Sequence, residues 1–229
     1  MPEATTISAG FPLISLMLLT LPFGALLIWL VPDPSKARWI ALGTALVDLV
    51  LASMVVARFD PAQSGFQLVE QAAWIPTLNV HYLVGVDGIS VLFLPLTVIL
   101  FIGVILSSWR SVAHMQRLYY SLMLLLESAT LGIFCALDGV LFMLFWEMTL
   151  IPIYFLVSFW GVGPNRRFAA VKYILFMLAG GIPLIFGFVL LAFGHAEMAG
   201  GLPSGLTFDY LEWLKTPLSL DIQKQVFLL

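Results

Sequence analysis

Long apolar runs separated by short polar loops dominate the pattern of this chain. Six stretches reach the roughly 20 residues that a helix needs to cross a bilayer. They run over about 11–31, 39–57, 89–109, 118–137, 140–160 and 168–193, and the last is long enough to tilt. A further apolar run begins near Ile222 and reaches only Leu229. Eight helical residues rise about 12 Å against a hydrocarbon core of about 30 Å, so 222–229 reads as a truncated seventh helix. The loop over 58–88 has a different period. Leu78, Val80, Tyr82 and Val84 alternate with Thr77, Asn79, His81 and Leu83, which predicts a strand, and Phe66 and Leu68 suggest its partner. An isolated hairpin is marginal in water, so this one is expected to rest on a neighbour. Phe208, Leu211, Trp213 and Leu214 alternate with Asp209, Glu212 and Lys215, predicting a short interfacial helix over about 206–215. The expectation is one all-α integral membrane domain over 1–229: about six transmembrane helices, the start of a seventh, and a small extracytoplasmic β-hairpin.

Composition agrees. Charged residues make up 10% of the chain, far below the quarter or so of a soluble domain, and hydrophobic residues 61%. Pro2 and Glu3 precede the first apolar run where a signal peptide would carry cations, so that run reads as a retained helix. The single Cys135 excludes an internal disulfide and reads as a small buried hydrophobe. Loop charge gives an orientation. Lys36, Arg38, Arg110, Arg117, Arg166, Arg167 and Lys172 flank the first, third and fifth loops, whereas Arg58, Lys215 and Lys224 flank the others. Seven cations against three place the odd loops in the cytoplasm and the amino terminus outside. Asp60, Glu70 and Asp87 fit an acidic outer loop, and Trp39, Trp109, Tyr119, Tyr120 and Trp160 fit interfacial positions.

Three carboxylates fall within spanning segments: Asp48, Glu127 and Glu147. Charge at membrane depth is costly and marks ion or proton pathways. Only Asp138-Gly139 separates the fourth and fifth helices, which therefore pack antiparallel at about 8–10 Å. If Glu127 and Glu147 face each other across that contact, two like charges about 10 Å apart repel by about 1.7 kcal/mol at an effective dielectric of 20. Glu127 is then a candidate proton relay; the alternative is a structural hydrogen bond to Ser128 or Thr130. Asp48, near Thr44 and Ser53, reads as structural, and Asp138 as a turn residue. Lys172 lies about 14 Å from the level of Glu147, too far for a direct pair, which leaves anchoring or a water-linked role. Pro152 and Pro183 free the carbonyls of Met148 and Ala179, and those groups need protein or water partners. A kinked helix and a hydrated path both satisfy that. The scattered His81, His114 and His195 and one cysteine offer neither a metal site nor an iron–sulfur cluster, and no glycine-rich nucleotide fingerprint is present. No cofactor is expected in this chain, and no nucleic-acid partner.

Four blocks carry a resemblance: Gly85-Val86-Asp87-Gly88-Ile89-Ser90, Ala136-Leu137-Asp138, the run from Phe145-Trp146-Glu147 through Ile151-Pro152 to Leu156, and Arg167-Phe168-Ala169-Ala170-Val171-Lys172-Tyr173. Together they resemble the antiporter-like membrane subunits of respiratory complex I. The resemblance implies a helical, proton-pumping subunit with its amino terminus outside, in a bacterial inner membrane or an equivalent energy-transducing membrane. Neighbouring antiporter-like subunits would be its partners, with NADH, FMN, iron–sulfur clusters and quinone held in partner subunits. It implies that Glu147 is the fifth-helix glutamate of the proton channel and that Lys172 modulates the route; Asp48 has no counterpart. One departure stands out. In the family that glutamate pairs with a lysine on a broken seventh helix, and these 229 residues stop before it. The resemblance therefore reaches less than half of a typical member. A multisubunit cation/proton antiporter shares the same helix chemistry and is the alternative.

Overall fold

The computed structural model describes residues 10–201 and 205–228. Among these, six helices are long and apolar enough to cross a membrane: α1 (Leu13–Leu30), α2 (Ala37–Arg58), α3 (Ser90–Ser107), α4 (Gln116–Cys135), α5 (Gly139–Trp160) and α6 (Arg166–Met198). Two short helices follow, α7 (Tyr210–Trp213) and α8 (Leu220–Leu228). The expected membrane fold is present: a multi-pass helical bundle with one small sheet. The amino-terminal residues 1–9 and the last residue of the apolar run over 222–229 lie outside the described residues.

α4 is the hub. It packs against α1, α2, α3 and α5, and 67% of its spanning window is buried, against 11% for α6. α1 lies beside it and buries Leu13, Ile14, Met17, Leu18, Leu21 and Ala25 along one face. α2 turns a stripe of small residues inward: Ala37, Ala41, Ala45 and Ala52, with Asp48 in the same row. Small residues allow close helix approach where no water drives association. Pro22 in α1 leaves the Leu18 carbonyl without its helical donor, and the Ser128 hydroxyl of α4 donates to it at 2.8 Å. A sequence break in one helix thus becomes a polar tie to the next. At the other end of α1, the Arg117 guanidinium donates to the carbonyls of Val31 and Pro32.

The sheet pairs β1 (Gln67–Ile75) with β2 (Val80–Val86), antiparallel, from Gln67 opposite Val86 to Ile75 opposite Val80. The strand expected to begin at Thr77 begins three residues later. Pro76–Leu78 forms a 3₁₀ turn and Asn79 takes a left-handed conformation, φ +52°, which asparagine tolerates. The hairpin does rest on a neighbour. Val80, Leu83, Val84 and Val86 are buried where β2 meets α4, α5 and α1, which overrides simple alternation. Glu70 of β1 is buried, and its carboxylate accepts from the backbone N–H groups of Ile14 at 2.7 Å and Ser15 at 3.0 Å, and from the Ser15 hydroxyl. The N-cap residue Pro12 supplies no side-chain cap, so an acid 56 residues away satisfies the first turn of α1.

Two elements differ from expectation. The interfacial helix over 206–215 shrinks to the single turn α7, because Phe208 and Asp209 are extended. Gly139 N–H donates to the Phe208 carbonyl and Tyr210 N–H to the Leu137 carbonyl. Pro217 then disfavours helix at Thr216. α6 runs 33 residues, about 50 Å, rather than ending at Phe193. Its polar last turns are accommodated by a 2.6 Å hydrogen bond between His195 Nδ1 and Thr216 Oγ1.

Candidate proton-transfer site

The α4–α5 turn anchors the site. Asp138 caps α5: one carboxylate oxygen accepts from Val140 N–H (2.9 Å) and Leu141 N–H (3.1 Å), the other from His81 N–H (3.1 Å). The expected turn residue therefore also ties the hairpin to α5. Burial pushes the Asp138 carboxyl above its ordinary range, while the three backbone donors pull the other way. Asp209, joined to it through a β-bridge, is likewise raised by burial.

Glu147 lies eight residues into α5, about 12 Å from that anchored end. Its side chain is half-buried and turns towards α6. There Gly181 leaves room for it: a methyl group at that position would sit 2.7 Å from Glu147 Oε1. Only a glycine lets the carboxylate lie so close to the α6 backbone. Pro152 and Pro183 flank the contact, freeing the carbonyls of Met148 and Ala179 as polar groups at the same level. On its other side Glu147 borders an apolar groove of about 370 Å³ lined by Val140, Met143, Leu144, Met148 and Ile151. Trp146, its neighbour in sequence, buries its indole N–H without a partner among the described residues.

Lys172 is exposed on α6 and lies nine residues before Gly181, about 13 Å along the helix, so it does not meet Glu147. Nor does Glu127 pair with Glu147. It is fully buried in α4, which also packs against α2, where Asp48 is buried as well. Neither Ser128 nor Thr130 binds Glu127, because both hydroxyls donate to backbone carbonyls, those of Leu18 and Leu126. Thr44 and Ser53 similarly donate to Ile40 and Leu49 in their own helix rather than to Asp48. Sequence reasoning did not single out Gly181 or Glu70 as positioning residues. Gly181 was within reach: counting along antiparallel helices puts it at the depth of Glu147. Glu70 gave no such signal, since nothing local pairs a loop acid with a helix start 55 residues upstream. No group of three or more histidines, cysteines or acids among the described residues is arranged to hold a metal.

A sequence-family model described as "NADH:quinone oxidoreductase/Mrp antiporter, TM" matches residues 136–199, the stretch holding Asp138, Glu147, Lys172 and Gly181. Over 221 residues the chain is 38% identical to NAD(P)H-quinone oxidoreductase chain 4 2 of Microcystis aeruginosa, covering 94% of this chain and 38% of that protein. It is 40% identical over 202 residues to NAD(P)H-quinone oxidoreductase chain 4 3 of Picosynechococcus, covering 87% and 35%. A chain in the structure of respiratory complex I from Thermus thermophilus with bound NADH superposes with a TM-score of 0.76 at 26% identity, over 94% of this chain and 42% of that one. The chain is thus similar to chain 4 of NAD(P)H-quinone oxidoreductases and to a chain of respiratory complex I. It spans about two-fifths of the length of these relatives and matches their amino-terminal portion. The Mrp complex of Dietzia shares the fold, with a TM-score of 0.64 at 22% identity. The half-buried acid of α5 and its glycine on α6 fall inside the matched family segment, while Asp48 and Glu127 fall outside it.

Proposed function

We propose that this chain contributes to proton translocation as a non-redox subunit of a complex I-type NAD(P)H–quinone oxidoreductase, with Glu147 carrying the proton. One observation supports this most: a half-buried carboxylate at mid-membrane depth, in contact with a glycine on the next helix, inside the matched family segment. A carboxylate so placed accepts a proton when its surroundings become more negative or drier and releases it when a cation or water arrives. In this reading the driving energy comes from partner subunits holding FMN, iron–sulfur clusters, NAD(P)H and quinone. Neighbouring antiporter-like subunits and lipid are its direct partners. The cation asymmetry supports an amino terminus outside a bacterial inner membrane or an equivalent energy-transducing membrane. Glu127 is read as a relay carboxyl. Lys172, exposed and well below Glu147, acts at most as a modulator at the entrance.

Substituting Glu147→Gln in the assembled complex tests the reading. The amide keeps shape and cannot carry a proton, so proton pumping by membrane vesicles should fall by most of its value while the complex still assembles. Unchanged pumping sinks the assignment. A multisubunit cation/proton antiporter is the second reading, supported by the fold shared with the Mrp complex. Copurification with flavin- and iron–sulfur-containing subunits separates the two, since only the oxidoreductase has them.

A further inference from the structure

We propose that Asp48 of α2 and Glu127 of α4 form a second proton-binding site, a carboxyl pair sharing a proton at the centre of the α1–α4 bundle and separate from Glu147. Both side chains are fully buried, at 0% exposure. None of their four carboxyl oxygens has a hydrogen-bond partner among the described residues. Each residue sits eleven positions into its helix, about 16 Å from the same end, so the two carboxyls share one level. Asp48 occupies the small-residue stripe by which α2 packs inward, and α2 packs against α4.

No cation stands at that level. α1 and α3, the other helices of the bundle, contain no titratable residue. Arg38 and Arg58 lie ten residues to either side of Asp48, and Arg117 ten residues before Glu127, each about 15 Å away along its helix. The remaining groups on packed elements are Lys36 on the turn before α2, Tyr119, Tyr120 and Cys135 on α4, Glu147 and Tyr154 on α5, and His81 and Tyr82 on β2. The nearby hydroxyls of Thr44, Ser53, Ser128 and Thr130 are already committed to backbone carbonyls. Two ionised carboxylates in such a setting repel, and neither finds a donor. A protonated carboxyl gains a donor of its own, and in the proposed pair the other carboxyl accepts it. One proton held between them removes a charge and supplies a hydrogen bond. This inference does not rest on the role of Glu147.

Infrared spectroscopy of the assembled complex in proteoliposomes reads the pair directly through the C=O stretch of protonated carboxyls. At neutral pH the wild type should show a component that disappears in the D48N/E127Q double variant and persists in E147Q. Each single variant should shift the remaining carboxyl's frequency, because its partner has changed. Where an amide substitution blocks assembly, Glu127→Asp retains a protonatable group and should retain a shifted component. A spectrum in which the double variant matches the wild type, or in which D48N leaves the Glu127 component unmoved, overturns the shared proton.

Discussion

At the scale of single residues, the arrangement turns on what each polar group finds beside it. Glu147 finds a bare stretch of helix backbone at Gly181. Gly181→Ala would push a methyl group to 2.7 Å from its carboxyl oxygen, and the flexible glutamate, not the helix, would give way. The expected outcome is a complex that assembles normally but pumps more slowly, by on the order of ten- to a hundredfold, as small displacements of reacting groups produce. Vesicle pumping assays compared with quinone reduction rates check this. Glu147 was legible in the sequence, because a lone acid in an apolar run stands out against its surroundings. The orientation of Glu127 was not. Membrane helices are apolar all round, so periodicity does not reveal which face of α4 meets α2 and which meets α5. The neighbouring hydroxyls misled for a related reason: in a helix they most readily satisfy their own backbone one turn back.

Among elements, the α4–α5 contact is close-packed. Gly132 lies where a Cβ would come within 2.4–2.5 Å of the Phe145 ring, an aromatic wedged between the two helices. Gly132→Ala is expected to cost about 1–3 kcal/mol through overpacking. Because Phe145 is two residues from Glu147, the same change should also reduce pumping; thermal dissociation of the complex and vesicle assays would register both effects. Helix existence was readable from run length alone. The hairpin too was readable, although Pro76 and Asn79 moved the start of its second strand. The stretch around 206–215 was not, since its amphipathic spacing suits a helix while its backbone is held extended against the α4–α5 turn by hydrogen bonds from distant residues.

For the whole molecule, the hairpin binds the bundle together. Glu70 holds the start of α1, and Asp138 joins β2 to the start of α5. Glu70→Ala would leave one buried and one half-buried backbone donor of α1 without their acceptor, at about 1–3 kcal/mol. A lower dissociation temperature with pumping per intact complex unchanged is the expected result; a large fall in pumping at normal stability would contradict a purely structural clamp. The reliance of α1 on Glu70 also bears on how such a protein is made. When the leading turn of α1 is synthesised, the acid that completes it still lies 55 residues further along the chain. Early on, α1 must borrow water or lipid headgroups for those amides. Its final seat is reached only after α2 has made one further passage across the bilayer's width and the hairpin has closed over it, so α1 is in place before it is finished.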